Sequence, residues 1–214
     1  METLGKLFGS IAKVKIMRLF LLNPGQGFES KDIVARARVT SGTVRSEIAA
    51  LSSVGFIIKK TFTKEIPVKA KKGKVQKPRQ KRVSGWSLNE SFEYRGSLQD
   101  LLIDAEFITR EDLASRFKKA GKIKLMLCAG VFMRANDSRL DLFIVGDNLK
   151  RPVLEKTIRM LESEIGKELG YAVFESPEFL YRANMYDKLV RDVIDAPFET
   201  VIDTGLLAQV PKIS

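Results

Sequence analysis

The fold of the N-terminal part of the chain follows from residues 30–56, which read SKDIVARARVTSGTVRSEIAALSSVGF. Thr40 or Ser41 is a suitable N-cap for a helix that follows a short turn. Within that helix the apolar residues recur at i, i+4 and i+7, so that they share one face. These residues are Val44, Ile48 and Leu51. Gly55 stands where the glycine after a helix end is expected.

The elements on either side extend this pattern into a small domain. An apolar helix is predicted from Ser10 to Asn23, and Ser30 is expected to cap a helix that ends near Ala37. The residues 56–62 and about 82–88 are β-branched and aromatic, as in strands. The predicted order is therefore helix, helix, helix, strand, long loop, strand.

In this order, and in the ending Leu51, Gly55, Phe56, residues 10–88 resemble the winged-helix regulators of bacterial type. The resemblance implies that the helix at about 41–54 is a recognition helix that enters the major groove of DNA. The residues expected on its outward face are Ser41, Thr43, Arg45 and Ser46. Among them, Arg45 is the candidate to read guanine through two hydrogen bonds.

The loop between the two predicted strands, residues 63–82, is strongly basic, with nine Lys or Arg and one acid, Glu65. Like charges at this density repel, so we expect the free loop to be disordered and to release counterions on binding nucleic acid. RNA remains an alternative to DNA here. The candidate DNA contacts are Lys69, Lys71, Lys72, Lys74, Lys77, Arg79, Lys81 and Arg82.

The charge is distributed unevenly along the chain, whose formal net charge is +11. Residues 1–90 hold 19 Lys or Arg against 6 Asp or Glu, a balance of +13. Residues 91–214 hold 18 against 20, a balance of −2. This asymmetry predicts that the N-terminal domain meets a polyanion.

The composition excludes several classes of protein. The chain has no His and a single cysteine, Cys128, which disfavours a zinc site and a disulfide framework. We expect no metal and no cofactor. No apolar run is long enough for a membrane span, and the N-terminus does not resemble a signal peptide. The sequence therefore predicts a cytoplasmic protein without a membrane partner.

The C-terminal half predicts an α/β domain. Residues 91–121 form a connector with two helices, and buried strands are expected at 123–132, 140–147 and 171–175. Helices are expected from Pro152 and over 177–195, with a last strand at 200–204. The predicted fold is thus two-domain, α+β or α/β: a winged helix at 1–90, the connector, and a domain with a small mixed sheet at 122–214.

The strands LMLCAGVF and SRLDLFIVGD resemble the nucleotidyltransferase superfamily, the polymerase-β-like fold in its minimal form. The resemblance implies a Gly-Ser pair and two metal-binding acids, but the pair falls on Ala129-Gly130 and the first acid on Arg139. Only Asp141 remains, so we expect it to pair locally with Arg139 or Arg134. Gly130, Arg139 and Asp141 are therefore predicted to be vestigial, in a domain that is not an enzyme.

The sequence favours a DNA-binding transcriptional regulator with double-stranded DNA as its partner. Its non-catalytic second domain is expected to dimerise or to bind a nucleotide or a protein. Leu4, Leu7 and Phe8 are a candidate homodimer face, or equally they pack on their own domain. The alternatives are an active nucleotidyltransferase that modifies a protein or RNA, and a nucleic-acid binder without sequence preference.

Overall fold

The computed structural model describes residues 2–66, 79–104, 108–133 and 138–211. It is a mixed α+β fold with a two-stranded antiparallel sheet and a four-stranded mixed sheet. The chain divides into two compact units. The first comprises Met1–Ala105 with Ser163–Lys167, and the second comprises Glu106–Glu162 with Glu168–Ser214.

Four helices begin the first unit: α1 (Glu2–Leu7), α2 (Ile11–Leu21), α3 (Ser30–Ala37) and α4 (Ser41–Ser53). The hydroxyl of Ser10 caps α2 by accepting the backbone N–H of Lys13 at 3.2 Å. The predicted cap of α3 was wrong by one residue: Ser30 is its first residue, and Glu29 precedes it. There the carboxylate of Asp32 accepts the backbone N–H of Glu29 at 3.1 Å, a charge-assisted bond that is stronger than one to a hydroxyl.

A hairpin follows, formed by the antiparallel strands β1 (Ile57–Ile66) and β2 (Arg79–Leu88). Each strand has ten residues, so both reach further into the basic segment than the sequence predicted. The register runs without a shift from Ile57 opposite Leu88 to Ile66 opposite Arg79. Continuous pairing satisfies the backbone donors and acceptors, which favours extension of the strands even among like charges.

The core of the first unit lies between α2, α3, α4 and the base of the hairpin. Phe20 and Phe28 meet edge to face with 5.6 Å between ring centroids. Each large apolar side chain buried here contributes about 1.5–3 kcal/mol relative to an exposed one. The fully buried apolar residues are Val14, Ile16, Leu19, Phe20, Phe28, Ile33, Ala37, Val44, Phe56, Ile57 and Leu102.

One cation, Arg18 of α2, is buried completely in the same unit. Its Nε donates to the carbonyl oxygen of Leu102 at 2.8 Å, and one Nη donates to that of Glu164 at 2.9 Å. Burial lowers the pKa of Arg18 to about 10. The guanidinium therefore joins three stretches of chain that are far apart in sequence.

The connector consists of α5 (Arg95–Gln99), a π-helical turn (Asp100–Asp104) and α6 (Arg110–Phe117). The hydroxyl of Thr109 caps α6 by accepting the backbone N–H of Asp112 at 3.2 Å, as the sequence predicted. A 3-10 turn (Lys118–Ala120) leads from α6 into the second sheet.

The sheet of the second unit contains β3 (Lys122–Cys128), β4 (Leu142–Asp147), β5 (Tyr171–Glu175) and β6 (Glu199–Asp203), in the order β5-β4-β3-β6. β3 is antiparallel to both of its neighbours, whereas β4 and β5 are parallel. A parallel pair needs a long crossover, and α7 (Arg151–Ile165) lies between these two strands in the chain.

One prediction in this unit was wrong in detail. The strand expected over 123–132 ends at Cys128, and a 3-10 turn (Gly130–Phe132) follows. The stretch 177–195 is helical, as expected, and consists of two helices, α8 (Ser176–Asn184) and α9 (Lys188–Ile194). They are separated where Tyr186 takes φ +54° and the carboxylate of Asp187 caps α9.

One core cluster of the second unit is formed by alternate residues of β3 and β4 with the inner faces of α8 and α9. Phe143 is its centre, with its ring 5.5 Å from that of Phe174 and 5.8 Å from that of Phe179. The other members include Leu125, Leu127, Val145, Ala183, Val190 and Leu206. In the described ranges, no helix combines the length and the apolar character needed to cross a membrane.

Candidate nucleic-acid interface

Helix α4 separates an inward apolar face from an outward polar one. Val44, Ile48 and Leu51 are buried, as predicted. Of the residues predicted to face a partner, Ser41, Arg45 and Ser46 are exposed, and Thr43 is half-buried. The inward face fixes the rotation of the helix about its axis, and this determines which polar side chains are presented to a partner.

The beginning of α4 is fixed by a tight turn from α3. Arg38 adopts the left-handed conformation, with φ +53°, and ends α3. Thr40 then caps α4: its hydroxyl accepts the backbone N–H of Thr43 at 3.2 Å and lies 2.8 Å from the hydroxyl of Thr43. Because the hydroxyl of Thr43 is already bound in the cap, Thr43 is less available to a ligand than Ser41 or Arg45.

The outward face of α4 forms one wall of a groove of about 690 Å³. The groove is also lined by α3 and by Trp86 on β2. Arg45 lies in this groove and forms no ion pair with any residue that the structure describes. The groove is lined by Ser30, Lys31, Val34, Ser41, Arg45, Ile48, Ala49, Ser52, Ser53 and Trp86.

The register of the hairpin decides which cations share a face with this groove. Residues directly opposite each other in an antiparallel pair project to the same side, and the sides alternate along each strand. Lys59 lies opposite Trp86, and Arg82 lies opposite Thr63, so both cations share a face with Trp86. The predicted contacts Arg79 and Lys81 alternate to the other face.

Lys64 is occupied by the first unit itself. Its Nζ lies 2.5 Å from the carboxylate of Asp32 and 3.5 Å from that of Glu29. The hydrogen bond to Asp32 raises the pKa of Lys64, and the hydrogen bond from Lys31 lowers the pKa of Glu29. These pairs attach the hairpin to the start of α3 and remove Lys64 from the cations available to an outside anion.

Five predicted DNA contacts of the basic loop between β1 and β2 lie outside the described residues. They are Lys69, Lys71, Lys72, Lys74 and Lys77. The structure adds two residues that were not predicted from the sequence, Lys59 and Trp86. Lys31 also lines the groove, but its Nζ lies 2.9 Å from the carboxylate of Glu29. Only the register of the hairpin brings Lys59 and Trp86 together, and that register follows from strand ends that the sequence pattern misplaced.

In the second unit, the predicted vestigial residues form a closed arrangement around Asp141. One oxygen of its buried carboxylate accepts the backbone N–H of Val131 at 2.8 Å, and the other accepts that of Gly170 at 2.9 Å. Gly130 lies beneath this carboxylate with φ +50°, and a Cβ added there would lie 2.2 Å from Asp141 Oδ1. The carboxylate thus holds two loops together.

The ion pair expected between Asp141 and Arg139 is not formed. Arg139 pairs with Asp192 of α9 instead. The two backbone N–H groups satisfy the Asp141 carboxylate without the entropic cost of ordering a long arginine side chain, which explains the difference. Arg134, the other expected partner, lies outside the described residues.

The remaining reactive groups of this unit are few. Burial raises the pKa of the Cys128 thiol to about 11, and Cys128 Sγ lies 4.0 Å from an oxygen of Glu199. Such a thiol is protonated at neutral pH and is a poor nucleophile. Within the described ranges, no three Cys, Asp or Glu side chains are grouped as metal ligands.

Comparisons with protein-family models, with curated proteins and with solved structures found no match to this chain.

Proposed function

We propose that the protein is a sequence-specific DNA-binding transcriptional regulator, and that its first unit is a winged helix-turn-helix. In this proposal α4 is the recognition helix and the hairpin is the wing. The observation that carries the proposal is the position of Arg45: it is exposed on the outward face of α4, within a groove, and has no ion-pair partner in the described part of the chain.

The dimensions and the chemistry of this face support the proposal. The major groove of DNA is wide enough for one α-helix, and the outward residues near the start of such a helix meet base edges. The guanidinium of Arg45 supplies the paired donors that match guanine, and Ser41 supplies a hydroxyl one turn earlier. Lys59 and Arg82 share the hairpin face of Trp86 and are suited to phosphates beside the groove.

For the second unit we propose a non-catalytic role, as a dimerisation module or as a site for a nucleotide or a protein. Two observations support this. The carboxylate of Asp141 is bound by two backbone N–H groups, and Arg139 is paired with Asp192. Neither side chain is free to hold a metal ion on a nucleotide, which disfavours transfer chemistry.

The first test is selection of retained sequences from a random duplex library by the full chain, at two salt concentrations. We expect an enriched motif that becomes sharper at the higher salt, because phosphate contacts weaken with salt more than base contacts do. Retention without any motif, lost as the salt rises, would instead favour binding without sequence preference.

The second test is Arg45→Ala on the selected site. We expect a loss of about 1–3 kcal/mol on that site and little loss on random duplex, because a paired contact to guanine is removed. Arg159→Ala is the matched control, since Arg159 is also an exposed helical arginine but belongs to the second unit. Equal losses on both DNAs would contradict the assignment of Arg45 as a base-reading residue.

A further inference from the structure

The second unit carries a concentrated basic patch, although residues 91–214 have a net balance of −2. We call it the sheet-end patch, because it lies where β3 begins and β4 ends. Its members come from two segments, the 3-10 turn with the start of β3 and the start of α7. They are Lys118, Lys119, Lys122, Lys150 and Arg151, and all five are exposed.

The backbone holds these two segments against each other. The N–H of Lys150 donates to the carbonyl oxygen of Ala120 at 2.8 Å, and Lys122 lies opposite Asp147 in the β3–β4 register. Gly121 takes φ +134°, and a Cβ added there would lie 2.8 Å from the carbonyl oxygen of Asn148. Only a glycine permits this approach, so the clustering of the cations is built into the turn.

The acids near the patch are already engaged. The carboxylate of Asp147 pairs with Lys124 at 2.7 Å, and that of Glu175 accepts the backbone N–H of Leu149 at 3.2 Å. Farther along α7, Glu155 pairs with Arg159. No patch member forms an ion pair with a residue in the described ranges. Among the five, only the charge of Lys122 is partly offset, since it adds to the hydrogen bond from Lys124 in lowering the pKa of Asp147.

We propose that the sheet-end patch binds the phosphodiester backbone of double-stranded DNA, as a second contact that is independent of sequence. Several exposed cations on one rigid surface repel one another, and a polyanion relieves that repulsion while releasing its own counterions. The patch offers flexible ammonium groups and no aromatic side chain, which suits phosphate contacts rather than base stacking. The choice of DNA rests on the proposed function of the first unit.

The test compares two triple variants of the full chain that lose the same net charge. The patch variant is Lys119→Gln, Lys122→Gln and Lys150→Gln. The control is Lys156→Gln, Arg159→Gln and Lys188→Gln, three exposed cations of the second unit outside the patch. The measurement is the salt dependence of affinity for the selected site and for random duplex, together with the circular dichroism and thermal unfolding of each variant.

We expect the patch variant to reduce the slope of log K against log salt by about 2–3 on both DNAs, since each lost phosphate contact removes about 0.9. Its ratio of specific to random affinity should stay the same, and the control should keep the wild-type slope. A patch variant whose slope matches that of the control would overturn the proposal.

These outcomes also separate the patch from the proposed function. An enriched motif with identical slopes for the two triple variants leaves the regulator standing and removes the patch. A reduced slope for the patch variant without any enriched motif keeps the patch and removes sequence-specific regulation.

Discussion

The two hydrogen bonds to the Asp141 carboxylate also explain why a glycine lies beneath it. The carboxylate fills the space that a Cβ of residue 130 would need, at 2.2 Å from Oδ1, and its two backbone donors prevent it from moving aside. Gly130 also has φ +50°, which favours glycine. The contact with the Asp141 carboxylate and the positive φ therefore each disfavour a side chain at residue 130.

We predict that Gly130→Ala lowers the free energy of unfolding by about 2–4 kcal/mol, from backbone strain and displacement of the buried carboxylate together. Gly205→Ala is the matched control, because Gly205 has φ +88° but nothing within 4 Å of its added Cβ. In the control, the free energy of unfolding should fall only by the cost of backbone strain, about 1 kcal/mol. Urea unfolding of both variants measures the difference; equal losses would mean that the Asp141 carboxylate moves freely.

At the scale of elements, the turn between α3 and α4 is short because one residue leaves the helical conformation. That residue is Arg38, a non-glycine residue with φ +53° at the end of α3. This turn sets the angle at which α4 follows α3, so its geometry matters for the groove between them.

We predict that Arg38→Gly raises the free energy of unfolding by about 0.5–1 kcal/mol, because glycine adopts the left-handed conformation without steric cost. Ala49→Gly, on the exposed face of α4, should lower it by about 1 kcal/mol because glycine disfavours a helix interior. Thermal unfolding monitored by circular dichroism checks both changes. A loss of stability on Arg38→Gly would show that its side chain contributes more than its backbone conformation costs.

The faces of α4 could be predicted from the sequence, whereas the faces of the hairpin could not. In a helix the 3.6-residue period connects Val44, Ile48 and Leu51 locally, so the outward position of Arg45 follows from its neighbours. In a hairpin the pairing depends on where both strands end. The ends of the strands lie in a polar segment and could not be predicted from the sequence. The pairing of Lys59 with Trp86 therefore could not be predicted either.

The same distinction applies to the second unit. Its strands were recognisable as apolar runs, but the partner of Asp141 depends on Gly170, which is 29 residues away. A backbone N–H donor cannot be recognised from the residue type, whereas an arginine two residues from Asp141 can. The sequence therefore predicted a local ion pair instead. The sheet-end patch was missed for a related reason, since its two segments are about 30 residues apart.

At the scale of the whole molecule, the titration of one buried thiol should be visible in the global stability. The Cys128 thiol has its pKa raised to about 11 by burial, against 9.0 for an exposed thiol. Between these values the unfolded chain loses this proton while the folded chain keeps it. Stability from this group is therefore complete below pH 9 and is lost as the pH rises towards 11.

We predict that the free energy of unfolding falls between pH 8.5 and pH 11 by about 2 kcal/mol more in the wild type than in Cys128→Ala. Other groups also titrate in this range, and the variant removes their contribution from the comparison. Urea unfolding across the pH range provides the measurement. Parallel curves for the two proteins would contradict the assigned environment of Cys128.

The first unit also needs residues 163–167, which are separated from its other residues by 57 positions of the chain. The carbonyl oxygen of Glu164 accepts a hydrogen bond from the buried Arg18, and that of Gly166 accepts one from Asn23 at 2.8 Å. During synthesis, the emerging chain must therefore keep an incompletely satisfied arginine near its N-terminus until this late segment leaves the ribosome. The first unit is thus completed only after β3 and β4 of the second sheet have been translated.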